Sequence, residues 1–257
     1  MGKSKRDSRD NWILDMRKEN IKHEMVMHRL LSEILDDKYL SVNAFFKGGT
    51  CARMLGYLNR FSVDLDFDLS EKADRDLFRQ KLHRIFEDLG LDIKDESKDA
   101  LQFFLRYPAE SGFRNTIKLE ILDNFYKSNI YRPFHIPDIE RTATCQTIET
   151  MFSHKLIAPL DRKEKGGSVA GRDIYDIHYF FSQGYEYLPQ VVKERRGVTL
   201  LKHFSDLKIF VEEKVTKQLI DEDLNTLLDY DKFKLMRKYL KEETLRFIDK
   251  EIESLRE

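Results

Sequence analysis

The sequence predicts an α+β protein, with an N-terminal mixed β-sheet and flanking helices over residues 1–135 and a helical domain over residues 136–257. The first observation is a strict alternation of apolar and polar residues from Ser62 to Leu69, which is typical of a strand. The second is a series of three further strand patterns, at 91–97, 101–107 and 116–122. The third is that the patterns beyond Pro133 are helical only, which places the division near residue 135.

The N-terminal elements follow from periodicity. A helix is predicted from about residue 8 to 37, because Met27, Leu30, Leu31 and Ile34 fall on one face of a 3.6-residue period. A short apolar run over 42–47 predicts a strand, and a glycine turn and a second helix follow it. A third helix is predicted over 72–89. With the strands already named, the sheet has about five strands.

The C-terminal half is predicted to consist of helices joined by loops. Helical patterns cover the segments 147–160, 172–183, 199–214, 216–228 and 232–255. The segment 161–171 contains three glycines and mixed charges between two of these helices, so we expect a mobile loop there.

Composition excludes several classes of protein. With 41% apolar and 12% aromatic residues the chain has enough material for a core, which excludes a disordered protein. Lys+Arg 45 against Asp+Glu 46 gives a net charge of −1, so any polyanion site must be local. Cys51 and Cys145 show no metal or disulfide spacing, and no uncharged apolar stretch approaches membrane-spanning length. We therefore expect a cytoplasmic protein without membrane contact.

Two neighbouring motifs indicate phosphate and metal chemistry. Gly48, Gly49 and Thr50 lie between a predicted strand and a helix, where their backbone N–H groups can approach a phosphate. Asp64 and Asp66 follow on the alternating strand, and their i, i+2 spacing projects both carboxylates from one face. Carboxylates so placed can share a divalent cation, Mg²⁺ or Mn²⁺, while the glycine turn binds the triphosphate of an NTP.

A third acid is expected on a neighbouring strand. Lys118 and Glu120 share the polar face of the apolar strand over 116–122, and Glu120 is our candidate for the third metal ligand or the base. The alternative interpretation is an exposed ion pair between Lys118 and Glu120. On the acidic strand, Asp68 is expected to be a solvated strand-end charge rather than a ligand.

These residues resemble the signature of the AbiEii/AbiGii nucleotidyltransferase toxins, a branch of the polymerase-β-like nucleotidyltransferase superfamily. The first part of the signature is Phe46-Lys47-Gly48-Gly49-Thr50 followed by Arg60-Phe61-Ser62-Val63-Asp64-Leu65-Asp66-Phe67. The second part is a lysine motif at Lys155 followed by Arg172-Asp173-Ile174-Tyr175-Asp176. The resemblance covers about residues 40–182, and Glu120 stands where many relatives carry aspartate.

The resemblance implies a fold, an activity and site residues. It implies a nucleotidyltransferase core completed by the helical domain, with NMP transfer from an NTP to a cellular acceptor, for which tRNA is known in some relatives. It also implies a toxin of a toxin–antitoxin or abortive-infection system, with a separately encoded antitoxin as partner. Lys155 would then neutralise the triphosphate, Asp173 would orient Lys155 or the attacking group, and Arg172 and Asp176 would contact the nucleotide.

The physical pattern of the second motif fits these roles. Asp173 and Asp176 share a face of the helix over 172–183 that is opposite to its apolar face, so both acids are expected to point away from the core. His178 lies on the apolar face and is expected to be a core histidine. The basic residues Arg162, Lys163, Lys165 and Arg172 form the one net-basic window that we expect to bind RNA or triphosphate.

Two other functions stay open at this point. The same metal site could support transfer of the γ-phosphoryl group, because the motifs do not say which phosphorus is attacked. A binding module that captures a nucleotide or an RNA end without chemistry is the second alternative, and the complete set of carboxylates argues against it.

Overall fold

The computed structural model describes residues 5–164 and 166–256, with side chains from Lys18 onward. Its strands are β1 (Ala44–Lys47), β2 (Asp64–Leu69), β3 (Asp92–Glu96), β4 (Leu101–Arg106), β5 (Thr116–Leu122), β6 (Tyr131–Ile136) and β7 (Arg141–Gln146). They form one seven-stranded sheet in the order β3-β4-β5-β2-β1-β7-β6. Strand β2 pairs antiparallel with β1 and parallel with β5, so the sheet is mixed and the predicted α+β class is confirmed.

The prediction of about five strands that end before residue 135 was wrong. Strands β6 and β7 follow, and the predicted division falls inside β6. Pro133 obscured β6 in the sequence, because proline lacks the N–H group that a central strand needs. The structure accommodates Pro133 since β6 is at the edge of the sheet, where one side of the strand has no neighbour.

The helices in the first part of the chain are α1 (Lys5–Asp36), α2 (Leu40–Asn43), α3 (Gly48–Met54) and α4 (Arg75–Asp88). The predicted N-terminal helix is confirmed, and Met27, Leu30, Leu31 and Ile34 on its apolar face are at most 1% exposed. The strand predicted from residue 42 begins two residues later, because the short helix α2 takes up Val42 and Asn43. Helix α3 begins at Gly48 itself, so the glycine turn forms the start of the helix.

The helices in the last part are α5 (Ile148–Glu164), α6 (Gly171–Ser182), α7 (Pro189–Arg196), α8 (Leu200–Lys214), α9 (Lys217–Leu224) and α10 (Tyr230–Ser254). Five of them match predicted segments, and α7, which begins at Pro189, was missed. Helix α5 also extends four residues beyond its predicted end, so the loop predicted over 161–171 is shorter. None of the helices within the described ranges is long and apolar enough to span a bilayer.

The chain divides into two compact units. The first comprises residues 1–54, 61–125 and 133–145, and the second comprises 55–60, 126–132 and 146–257. The first unit contains most of the sheet with α1 to α4, and the second contains α5 to α10. Each unit has its own part of the predicted site residues, and the two parts are described separately below.

Candidate active site

The carboxylates of the first unit lie on β2, the middle strand of the sheet. Leu65 and Phe67 of β2 are fully buried in the core, which places Asp64, Asp66 and Asp68 on the opposite face. Asp64 and Asp66 are partly exposed on that face, so their oxygens are accessible to a ligand. Strict alternation in the sequence was therefore a sound guide to the orientation of these side chains.

Glu120 stands beside Asp66 on the neighbouring strand. The parallel pairing of β2 with β5 puts Asp66 in register with Glu120, and Asp64 in register with Lys118. Residues in register project from the same face of two strands that lie about 4.8 Å apart. The structure thus brings Asp64, Asp66 and Glu120 together on one polar surface.

Hydrogen bonds hold Glu120 in its ionised form. Lys118 Nζ donates to Glu120 Oε1 at 2.9 Å, and Gln102 Nε2 donates to the same oxygen at 2.5 Å. Burial would raise the pKa of Glu120, but these hydrogen bonds and the positive charges of Lys118 and Lys47 lower it below its usual range. A carboxylate with a lowered pKa is a weak base, so the geometry favours Glu120 as a ligand over Glu120 as the base.

Gly48 allows the chain to pass close to Asp66. Its φ is +79°, a left-handed conformation, and a Cβ atom at this position would overlap Asp66 Oδ2 and lie 3.0 Å from Asp66 Cβ. Nearby, the Thr50 hydroxyl donates to the backbone oxygen of Asp64 at 2.5 Å. Thr50 is 1% exposed, and its hydroxyl fixes the strand and does not face a ligand. The glycine motif and the acidic strand are therefore assembled as one structure, with Gly49 buried between Gly48 and Thr50.

Lys47 and Asp68 form an ion pair that the sequence analysis missed. Lys47 is in register with Asp66 across β1 and β2, and its Nζ donates to Asp68 Oδ1 at 2.5 Å. Asp68 is 4% exposed, so the expectation of a solvated strand-end charge was wrong. Spacing along the sequence did not reveal this pair, because Lys47 and Asp68 lie on different strands, β1 and β2.

The donor set of this surface suits a hard divalent cation. Asp64, Asp66 and Glu120 offer carboxylate oxygens only, which Mg²⁺ prefers, and the absence of a side chain at Gly48 leaves the space that the Asp66 carboxylate occupies. Over the part of the chain that the structure describes, no three His, Cys, Asp or Glu side chains are already clustered closely enough to hold a metal ion. To hold a metal ion here, the carboxylates of these three acids would have to come closer together.

We expect Gly48→Ala to damage the site more than it damages the fold. The substitution places a methyl group against the Asp66 carboxylate and also introduces a left-handed alanine, which costs about 1–2 kcal/mol. Gly56→Ala is the matched control, because Gly56 has a φ of +78° and no atom within 4 Å of the added methyl group. Thermal melting should show similar destabilisation in both variants, whereas nucleotide transfer should be lost in Gly48→Ala only. Equal activity in the two variants would contradict the close approach to Asp66.

In the second unit, Asp176 is the centre of a buried charge cluster. It is 0% exposed, and Arg60 donates to it twice, from Nε to Oδ1 at 2.5 Å and from Nη2 to Oδ2 at 2.7 Å. Lys155 Nζ lies 2.8 Å from Asp176 Oδ2. Burial would raise the pKa of Asp176, but the charges of Arg60 and Lys155 lower it, so the group is ionised.

This arrangement corrects the predicted orientation of the acids on α6. Asp173 and Asp176 were expected to point away from the core, yet they are 2% and 0% exposed. They are buried because each has a cationic partner, and for Asp173 the partner is Arg162, whose Nε donates at 2.8 Å. Lys155 is thus held by Asp176. Of the two roles predicted for Asp173, orienting Lys155 or orienting the attacking group, the first falls to Asp176 and the second stays a prediction.

The structure describes three of the four residues of the predicted basic window, and at least one of the three is paired with an acid. Arg162 is paired with Asp173, and Lys163 lies in the last turn of α5 rather than in a loop. Arg172 lies in the first turn of α6. Lys165 falls outside the described residues.

Comparisons with known proteins identify what this architecture resembles. The family model described as the nucleotidyl transferase AbiEii toxin of type IV toxin–antitoxin systems matches residues 29–254. The match extends well beyond the residues 40–182 that carried the sequence resemblance. A search of curated protein sequences gave no significant match.

Among solved structures, three similar chains support the fold. JHP933 from Helicobacter pylori is 22% identical, with a TM-score of 0.51 and coverage of 92% of this chain and 96% of that one. A putative nucleotidyltransferase from H. pylori is also 22% identical, with a TM-score of 0.53 and coverage of 91% and 96%. MenT4, a nucleotidyltransferase toxin from Mycobacterium tuberculosis H37Rv, is 16% identical, with a TM-score of 0.55 and coverage of 90% and 84%.

Proposed function

Because this chain belongs to the AbiEii family of nucleotidyltransferase toxins from type IV toxin–antitoxin systems, we propose that it transfers a nucleoside monophosphate from an NTP to an RNA acceptor. The first candidate acceptors are the 3′ ends of tRNA. In this reaction an RNA hydroxyl oxygen bonds to the α-phosphorus, the bond from that phosphorus to the β-phosphate oxygen breaks, and pyrophosphate and one proton are released. The observation that carries the proposal is that Asp66 and Glu120 stand in register on neighbouring strands, with Gly48 packed against the Asp66 carboxylate.

We assign roles to the residues of the first unit by their chemistry. Asp64 and Asp66 would hold a divalent cation, Mg²⁺ or Mn²⁺, and Glu120 would add a third carboxylate. A cation bound there would stabilise negative charge on the triphosphate and lower the pKa of the acceptor hydroxyl. The backbone N–H groups of residues 48–50 would bind phosphate oxygens, since no side chain of Gly48 or Gly49 obstructs them.

Within the second unit, the charge cluster supports the role of Lys155 as a phosphate-binding group. Arg60, Lys155 and Arg162 carry three positive charges against the two of Asp173 and Asp176, so these five groups together have one positive charge more than negative. The Lys155 side chain is 18% exposed and that of Arg60 is 3% exposed, so the surplus is accessible at Lys155. Asp176 is fully buried beneath these cations, which fits a role in fixing Lys155 better than direct contact with a nucleotide.

The experiment that tests the activity uses labelled nucleotides. The protein would be incubated with Mg²⁺, total RNA and each of the four NTPs in turn, labelled either at the α- or at the γ-phosphate. We expect the α-label to enter RNA and the γ-label to leave as pyrophosphate. Entry of the γ-label would indicate phosphoryl transfer instead, and α-label on protein would exclude RNA as the acceptor. EDTA should stop incorporation, and Mn²⁺ should restore it.

Cellular toxicity gives an independent test. Expression of the protein alone should arrest bacterial growth, and the cognate antitoxin, encoded separately, should relieve the arrest. RNA from arrested cells should carry added 3′ nucleotides. Growth arrest with unmodified RNA would be consistent with an enzymatic toxin but would exclude RNA as its acceptor.

We expect Lys155→Ala to reduce transfer more than Lys163→Ala. Lys155 is fixed by Asp176, whereas Lys163 is exposed at the end of α5, and a preorganised charge stabilises a transition state better than a mobile one. The measurement is kcat/KM for the NTP in each variant. Equal losses would indicate that the basic surface acts diffusely.

A further inference from the structure

A second basic segment lies near the C-terminus of the described chain. Residues 232–241 contain five lysines and arginines and no acid, although the chain as a whole has a net charge of −1. The five are Lys232, Lys234, Arg237, Lys238 and Lys241. The interpretation of 162–172 as the one basic window was therefore incomplete.

The structure arranges three of these residues on one side of α10. Lys234, Lys238 and Lys241 recur at i, i+4 and i+7, which is one helical face, and they span about 10 Å of the helix axis. The buried face of the same helix carries Leu240 and Ile248, both 0% exposed. We call Lys234, Lys238 and Lys241 the lysine stripe.

The positive charge of the lysine stripe is not compensated by ion pairs. Arg237 and Lys232 each have a carboxylate partner, Asp221 at 2.6 Å and Asp229 at 3.0 Å. Lys241 donates instead to the backbone oxygen of Glu212 at 2.7 Å, which neutralises no charge. Among the described residues, no carboxylate forms an ion pair with any member of the stripe.

Aromatic and apolar groups accompany the lysine stripe. Lys238 Nζ lies 4.6 Å from the centroid of the Tyr239 ring. Leu235 is 52% exposed and Tyr230 is 49% exposed on the same helix. Exposed rings and apolar side chains among lysines offer surfaces on which unpaired bases can stack.

We infer that the lysine stripe binds the sugar–phosphate backbone of the RNA acceptor. This inference rests on the proposed function, since it names the surface that binds the proposed acceptor. A row of ammonium groups without ion-pair partners complements a polyanion, even with the charge of Glu242 acting on Lys238 from the next turn of α10. Lysine is depleted at protein–protein interfaces, which argues against a protein partner here. An anionic membrane would require a broad exposed apolar face, but Leu240 and Ile248 on the apolar face of α10 are buried, and the exposed Leu235 and Tyr230 do not make a broad face.

The lysine stripe belongs to the same unit as Lys155. Helix α10 packs against α6, which carries Asp173 and Asp176. The contacts include the His178 Nε2 to Glu243 Oε2 distance of 2.7 Å and the stacked rings of Phe181 and Phe247, whose centroids are 5.4 Å apart. RNA bound at the stripe would therefore contact α10, the helix that packs against α6 and its buried acids.

The test compares two double variants with equal changes in charge. Lys234→Gln with Lys238→Gln removes two members of the stripe, and Lys193→Gln with Lys202→Gln removes two lysines elsewhere in the same unit. Binding of unfractionated, end-labelled tRNA to the full chain would be measured between low and high salt. We expect the slope of log K against log[salt] to fall by about 1.5 in the stripe variant, with affinity lower by on the order of tenfold. The control variant should retain the slope and affinity of the wild type.

Other outcomes would overturn the inference about the lysine stripe but would not contradict the proposed nucleotide transfer. An equal loss of RNA affinity in both variants would mean that RNA binds over a diffuse basic surface. Unchanged RNA affinity in the stripe variant would show that the stripe does not contact RNA. Tight binding of poly-glutamate at the stripe without RNA binding would indicate an acidic protein partner. Incorporation of α-labelled NTP into RNA would be measured with the wild-type protein in the same preparations. If the wild type incorporates label, a negative binding result contradicts the inference about the stripe and not the proposed function.

Discussion

Asp66→Asn should lower nucleotide transfer by at least about a thousandfold while the melting temperature stays near that of the wild type. Asp66 is in register with both Glu120 and Lys47, and Gly48 packs against its carboxylate. The amide has the shape of the carboxylate but lacks its charge, so it cannot hold a divalent cation equally well. A loss of several kcal/mol of transition-state stabilisation corresponds to this reduction in rate.

Asp92→Asn is the matched control for this experiment. It makes the same chemical change on edge strand β3, where the Asp92 side chain is 70% exposed and pairs with Arg106 at 3.2 Å. We expect wild-type transfer and wild-type growth arrest with this variant. Growth arrest should disappear with Asp66→Asn. Turnover near that of the wild type in Asp66→Asn would contradict its assignment, and arrest that persists without turnover would favour toxicity by binding alone.

Asp176→Asn should destabilise the folded protein by about 3–5 kcal/mol, because it leaves two cations without their common anion in a buried environment. Asp173→Asn on the same helix is the control. Its partner Arg162 is 42% exposed and can be solvated, so a smaller loss is expected. Denaturant unfolding at neutral pH would measure both values.

A double-mutant cycle would show whether the effect comes from the cluster. Arg60→Met combined with Asp176→Asn should cost less than the sum of the two single changes, since each single change already breaks the same ion pair. Additive losses would mean that Arg60 and Asp176 act independently.

The pH dependence follows from the lowered pKa of Asp176. A group whose pKa is lower in the folded state stabilises that state above its ordinary pKa, and the stabilisation is lost as pH falls toward the folded value. The contribution of Asp176 should therefore be complete at neutral pH and disappear only in acid.

Local pattern was sufficient for much of the fold and for the acidic strand. Period-two alternation alone gave the orientation of Asp64, Asp66 and Leu65, and the predicted helix periods matched most of the observed helices. Strand β6 was missed because tolerance of Pro133 depends on its position at the edge of the sheet, which is a property of the assembled sheet.

The errors at the candidate site have a different cause. The burial of Asp176 could not be predicted from its helix, since the partner that permits burial, Arg60, is 116 residues away in the sequence. Asp68 illustrates the same point at shorter range. A charged residue is buried only where a partner exists, and spacing along the chain does not reveal a partner from another element.

The division of the chain into units has a consequence for how the protein is made. Residues 55–60, which contribute Arg60 to the second unit, are flanked on both sides by segments of the first unit. Strand β1 pairs in parallel with β7, with Phe46 opposite Cys145, so the sheet cannot form completely until residue 146, the end of β7, has left the ribosome. Contacts between distant parts of a sequence slow folding. The nascent chain cannot complete the charge cluster around Asp176 before α6 is synthesised, so Arg60 has to wait for a partner that is made more than a hundred residues later.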